Sequence, residues 1–320
     1  MQSVVKLLLV MKRPASPIFK SVFIILAIGA RFTLSQQVPD LEYRPPIPNP
    51  AYSSEKGPQV SIDEAHHNFH TANGRFEPFA QLLRRDGYVV GRLREPLSST
   101  SLKQIDVVVI ANPIHARNQG NWTLPTPSAY SKKEIHALRD WVETGGSLLL
   151  IADHMPFPGG AGELAESFGF RFSNGFARFG NKQPGKPDTF DLANGLKANV
   201  VIRGRNETEG VDEIVTFTGS AFQAPAAAIP LMVFGPGSVS LEPQRAWQFK
   251  DDTPQRPIEG WCQGAILEVG EGRVAVFGEA AMFTAQLAGP DKRRIGMSSP
   301  QAKQNHQFLL NVLHWLSGAL

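Results

Sequence analysis

From residue 58 to the C-terminus, apolar positions alternate between short continuous runs and a spacing of three or four residues. Short runs bounded by glycine or polar loops predict strands, and the 3.6-residue period predicts helices. Residues 59–62 form a first strand leading into a polar loop. A helix over 76–86 follows, with Phe76, Phe79, Leu82 and Leu83 on one face and Gly87 as its stop. Residues 88–93 are a second strand. Residues 105–111 (IDVVVIA) are almost wholly apolar, the pattern of a strand covered on both faces. Ser131 and Glu134 form a capping box that opens a helix with Ile135, Leu138, Trp141 and Val142 inward and Gly145-Gly146 at its end. SLLLI (147–151) is another buried strand, and a short helix covers 160–168. Residues 170–260 are less regular: 214–219 and 230–234 read as strands of an antiparallel edge. Residues 264–268 and 273–277 pair as a hairpin around Gly270-Glu271-Gly272, and a helix over 301–317 closes the chain. The alternation predicts an α/β, flavodoxin-like fold: a mostly parallel sheet with helices on both faces and an antiparallel extension.

The first 57 residues follow different rules. Lys12 and Arg13 precede the apolar run 22–30 (VFIILAIGA), and Thr33 and Ser35 supply small residues before Gln36. Residues 1–35 therefore read as a signal peptide cleaved before Gln36, with an uncleaved anchor as the alternative. The run is shorter than the about 20 residues a spanning helix needs. Met11 is an alternative start to Met1. Residues 36–57, with Pro39, Pro45, Pro46, Pro48 and Pro50, read as an extended, solvated linker, and 58–320 as one domain. The expected location is periplasmic or extracellular, with membrane contact only through an uncleaved signal.

The formal charge of +3 belongs to this leader. Residues 1–35 hold five basic and no acidic side chains, so the remainder carries 27 basic against 29 acidic. That balance gives no electrostatic case for nucleic acid. The single cysteine, Cys262, rules out an intrachain disulfide and reads as a small buried hydrophobe.

Ligands in an open α/β sheet bind beyond the carboxyl ends of the strands. After the first strand comes Asp63-Glu64-Ala65-His66-His67-Asn68-Phe69-His70, after 105–111 come Asn112 and His115, after 147–151 come Asp153 and His154, and after 273–277 comes Glu279. If those strands are adjacent and parallel, the segments share one rim. Asp63, His66, His67 and His70 form a candidate set for a divalent transition metal. Asp153, His154 and Glu279 are candidate acid–base residues, and Asn68, Asn112 and His115 candidate ligand contacts. The same side chains could instead cap helices and tie loops. No GxGxxG dinucleotide turn, GxxxxGK[ST] phosphate loop or GxSxG elbow occurs.

Three segments carry a family resemblance: IDEAHHNFHTANGRFEPFAQLLRRDGYVV, VVVIANP…YSKKEIHALRDWVETGGSLLLIADH, and GEGRVAVFGEAAMFTAQLAG…NHQFLLNVLHWLSG. The pattern resembles the glutamine-amidotransferase-like superfamily, in an uncharacterised bacterial branch. The resemblance implies a nucleophilic cysteine on the turn after a central strand. The matching turn here, Ile151-Ala152-Asp153-His154, has none, which argues against cysteine-dependent glutamine hydrolysis. Two readings follow. One is an exported hydrolase of a small molecule or glycan using a carboxylate–imidazole site, with or without a metal. The other is a non-catalytic binding or assembly domain, as in the family's scaffold members.

Overall fold

The computed structural model describes residues 37–180 and 187–320, so the signal-peptide reading, on residues 1–35, lies outside the described residues. The main sheet has nine strands: β1 Gln59–Asp63, β2 Val89–Leu93, β3 Val107–Ala111, β4 Ser147–Ile151, β5 Arg171–Phe172, β6 Phe222–Gln223, β7 Ile229–Val233, β8 Cys262–Val269 and β9 Gly272–Phe277. They run in the order β2-β1-β3-β4-β9-β8-β6-β5, with β7 also on β8. The block from β2 to β9 is parallel, whereas β5, β6, β7 and β8 pair antiparallel, β8 also with β9.

Three small antiparallel sheets lie off this one. Strands outnumber helices among the described residues, and the fold is α/β with mixed sheets. The parallel order expected for most of the sheet holds for one contiguous block. The irregular region 170–260 supplies short antiparallel pieces, because its many Gly and Pro residues interrupt longer ladders.

Four helices pack on the sheet: α1 Glu77–Arg85, α2 Lys132–Glu143, α3 Phe157–Ser167 and α4 Asn305–Leu316. Strand side chains alternate between two apolar clusters. Val107, Val109, Leu149 and Ile151 join α1 and α4 through Phe79, Leu83, Phe308 and Leu309. Val108, Ile110, Leu148 and Leu150 join α2 and α3 through Leu138, Val142, Leu164 and Ala165. Each fully buried Val, Leu or Ile contributes about 1.5–3 kcal/mol, which is why β3 and β4 could be read from their continuous apolar runs.

The helix expected over 160–168 starts earlier, at Phe157, because Pro158 in its first turn costs no hydrogen bond. Gly160 is required there, since a Cβ would collide with the Pro113 carbonyl. Cys262 is buried in β8, and burial pushes its thiol up to about 11.

Residues 37–57, expected as a solvated linker, are held against the domain and belong to one compact unit spanning Ser35–Leu320. Gln37–Pro39 pairs with Ala285–Ala288. Arg85 donates to the Pro45 carbonyl at 2.7 Å, and the Ala51 N–H donates to Asp86 at 2.8 Å. The prolines keep the segment extended, but its carbonyls and N–H groups find partners on the domain. No described helix is long and apolar enough to cross a membrane.

Candidate functional site

β1, β3, β4 and β9 are neighbours running in one direction, so the segments following them meet at one rim. Backbone hydrogen bonds fasten the loop after β1 to the turn after β3: Phe69 N–H to Asn112 O at 2.9 Å and Ile114 N–H to His66 O at 3.1 Å. The rim side chains sort into two groups.

The first is a charged knot. His66 lies with Nδ1 2.9 Å from both Asp63 oxygens and Nε2 2.8 Å from Glu134 Oε1. Carboxylates only accept, so a ring with both nitrogens against carboxylates is satisfied as the doubly protonated imidazolium. Burial by itself would push His66 down, but the hydrogen bonds and charges of Asp63 and Glu134 outweigh it and hold His66 above its ordinary value. Burial likewise pushes Glu134 up, while His66 and Ser131 outweigh it and hold Glu134 below the usual range. Asp63, fully buried, also accepts from Tyr130 Oη at 2.9 Å, Asn68 Nδ2 at 3.2 Å and the Ala65 N–H at 3.1 Å. Burial and the Asp63 charge push the Tyr130 phenol well up, so it remains a donor.

This knot corrects the metal expectation. Asp63, His66, His67 and His70 do not form a ligand set. His66 has no free lone pair, His67 is exposed on a residue with φ +50°, and His70 belongs to the second group. Among the described residues no three His, Cys, Asp or Glu side chains are arranged to hold a metal ion. Asn68 is spent inside the knot, its Oδ1 accepting from the His66 N–H at 3.1 Å. His115 caps the turn Ala116–Asn118, its Nδ1 accepting from the Arg117 N–H at 3.1 Å.

The second group gathers Asn112, His70, Asp153, His154 and Glu279. Asn112 adopts φ +53°, a conformation Asn tolerates better than most residues, and its amide bridges two strand ends. The Asp153 N–H donates to Asn112 Oδ1 at 2.8 Å, which fixes the amide so that Nδ2 donates to His70 Nδ1 at 3.1 Å. His70 therefore accepts at Nδ1 and carries its proton on Nε2. Burial pushes His70 down to about 3, aided by the Arg75 charge and the neighbouring His154 imidazole. His154 is the complement. Its Nδ1 lies 2.7 Å from the Met155 carbonyl, so Nδ1 holds the proton and Nε2 the lone pair. Burial lowers its pKa against the opposing effects of Asp153 and Met155.

An aromatic shell explains that burial. The His154 ring stacks on Phe176 at 4.5 Å and meets Trp247 edge-on at 4.6 Å and Trp122 at 6.0 Å. Phe176 and Trp247 come from the irregular region, which places this segment over the rim.

Asp153 and Glu279 stand side by side electrostatically. Burial, then the Asp153 charge, push Glu279 well above the carboxylate range, against N–H donation from Met282 at 2.9 Å, Phe217 at 3.2 Å and Thr218 at 3.4 Å. Gly219, at φ +123°, lets that turn lie close, because a Cβ there would come within 2.9 Å of Glu279 Cβ. Asp153 accepts from the His154 N–H at 2.7 Å and the Ala280 N–H at 3.2 Å.

Asp63, His66, His70, Asn112, Asp153, His154 and Glu279 thus share one rim, as their positions after the strands predict. Tyr130, Trp122, Trp247 and Arg75 join them without a local sequence signal, and Glu134 is legible from the sequence only as a cap. Glu134 carried a usable signal, since a capping-box carboxylate has a second oxygen free to accept.

No family model and no curated protein matches the sequence. Solved structures do match. The N-terminal domain of mmIFT52 has a TM-score of 0.57 at 14% identity, covering 81% of this chain and 97% of that one. A ThuA-like protein from Bacteroides uniformis ATCC 8492 has a TM-score of 0.46 at 12% identity, covering 83% and 94%. A β-galactosidase from Bacillus circulans sp. alkalophilus has a TM-score of 0.42 at 11% identity, covering 81% of this chain and 30% of that one. The likeness to the mmIFT52 domain is one of fold.

Proposed function

We propose that the rim beyond β1, β3, β4 and β9 binds a small polar molecule and hydrolyses it, with His154 as general base and His70 as a neutral hydrogen-bond donor to the developing oxyanion. One observation carries this reading: two neighbouring imidazoles are both held neutral, one by its partner as an Nε2 donor and the other as an Nε2 acceptor. A buried base to activate water and a preorganised donor to the carbonyl oxygen are two parts that acyl hydrolysis uses at the reacting atoms. Asp153 and Glu279 position the loops that carry them, and Glu279, kept protonated, adds no negative charge beside the base.

The reading extends the α/β assignment to a doubly wound, amidotransferase-like fold without the cysteine nucleophile, supported by the two apolar clusters. It retains export to the periplasm or beyond, supported by the basic residues and apolar run of the leader. A glycan remains within the substrate class, supported by the aromatic shell around His154.

A panel of chromogenic esters, amides and glycosides tests the proposal on the purified chain. His154→Gln should lower turnover by about 10²–10⁴-fold, the usual worth of a positioned base. Turnover that survives both His154→Gln and His70→Gln would refute it. The alternative, a binding domain without catalysis, is favoured by one observation: both Asp153 oxygens and both Glu279 oxygens already accept backbone N–H groups. Ligand binding that depends on His154, with no turnover of any panel member, selects that alternative.

A further inference from the structure

We propose that Arg75 is an anion-binding residue of this rim, so that the molecule taken there carries a carboxylate or phosphate group beside its reacting centre. This deepens the reading above and rests on the same site. Arg75 lies in the loop between β1 and α1, next to Phe76, which is fully buried and pins the backbone. Its guanidinium sits 4.0 Å over the Phe69 ring, so one face is covered and the edges remain to donate. Nε is enclosed without an acceptor, and among the described residues the guanidinium makes no hydrogen bond or ion pair.

The enclosed Nε is the unusual part, because a buried N–H left without an acceptor is costly. Arg205, by contrast, is wrapped around Glu209 with an Nη2–Oε1 distance of 2.5 Å. The surroundings supply no counter-charge. Burial alone accounts for the lowering of Arg75, and its charge falls on His70, which is neutral. The Asp63 carboxylate cannot serve, since His66 already neutralises it.

The position suits a ligand that spans the rim. Phe69 touches His70 at 5.6 Å and Trp122 at 5.4 Å, and Trp122 reaches the His154 ring. An anionic group on the guanidinium edge therefore leaves the rest of a small molecule against Trp122 and the two imidazoles. The planar fork matches carboxylate and phosphate geometry, which lysine does not reproduce.

Titration calorimetry with benzoate, inorganic phosphate and neutral benzamide tests this on the full chain, as wild type, Arg75→Met, Arg75→Lys and His154→Gln. Benzoate or phosphate should bind the wild type about tenfold or more tighter than benzamide, and whichever anion binds tighter names the group. Arg75→Met should abolish that preference. Arg75→Met should fold with a midpoint close to wild type, because no hydrogen bond or ion pair is lost and the methionine side chain can still cover the Phe69 ring. Should it fail to fold, Arg75→Lys carries the test, with anion affinity down about tenfold through loss of the bidentate fork. Equal binding of anion and amide by the wild type, or an unchanged preference in the variants, overturns the proposal. His154→Gln separates the two readings. Anion binding retained there with turnover also retained sinks the catalytic assignment and leaves Arg75 standing.

Discussion

Replacing His66 by glutamine removes the positive charge held between Asp63 and Glu134, and its cost can be worked from the contacts. His66 is 6% exposed and Asp63 is fully buried, so the pair between them is a buried one. Removing one partner of such a pair costs about 3–5 kcal/mol, because the other charge stays behind uncompensated. Tyr130, Asn68 and the Ala65 N–H remain on Asp63, and the glutamine amide returns one donor worth about 1 kcal/mol. Glu134 keeps the Ser131 N–H and hydroxyl, at 2.9 and 2.7 Å, so its loss is small. The expected destabilisation is about 2–4 kcal/mol, a large share of the about 5–15 kcal/mol typical of a folded domain.

The pH dependence gives a sharper check. His66 is raised, so its contribution is complete below the ordinary value of 6.5 and is lost as pH rises through the folded value. Glu134 is lowered, so its contribution is complete above 4.5 and is lost as pH falls through the folded value. The wild-type-minus-variant difference is therefore largest between pH 4.5 and 6.5 and shrinks on the alkaline side. Urea unfolding of both proteins at matched pH, followed by tryptophan fluorescence, measures it. Taking the difference removes the opposite trend from His70 and His154, whose lowered values weaken the fold as pH falls below 6.5. A gap below about 1 kcal/mol in that window, the scale of a surface ion pair, would refute the reasoning. So would a gap that does not change with pH.

Three further outcomes are expected. Nitrogen-detected NMR should find His70 neutral with its proton on Nε2 and untitrated until pH approaches about 3, and a ring titrating near 6.5 contradicts the Asn112 bridge. Asp153→Asn should bring the Glu279 titration down, because the neighbouring charge is gone, and an unmoved carboxyl carbon shift shows that Asp153 is not its perturber. Tyr130→Phe should cost about 1.5–3 kcal/mol by urea unfolding, the worth of a hydrogen bond to a charged group, and a neutral effect means that Asp63 is satisfied without it.

The sequence by itself determined the elements whose signals are local. Continuous apolar runs marked β3 and β4, the spacing of Phe79, Leu82 and Leu83 marked α1, and Ser131 with Glu134 marked the start of α2. Given those strands, it also placed Asp63, Asn112, Asp153, His154 and Glu279 at carboxyl ends, since a side chain's position along its own strand needs no partner to define it. Only the tertiary structure decided what each of them does. The Asp63–His66–Glu134 knot joins residues 68 positions apart, and it turns an expected metal ligand into a cation with no lone pair. The tautomers of His70 and His154 depend on whether an amide or a carbonyl faces Nδ1, and such a contact leaves no periodic trace. The isolation of Arg75 is a property of everything around it. Periodicity reports which face of an element meets the core, whereas charge state and hydrogen-bond role are set by groups that the fold brings together from distant parts of the chain.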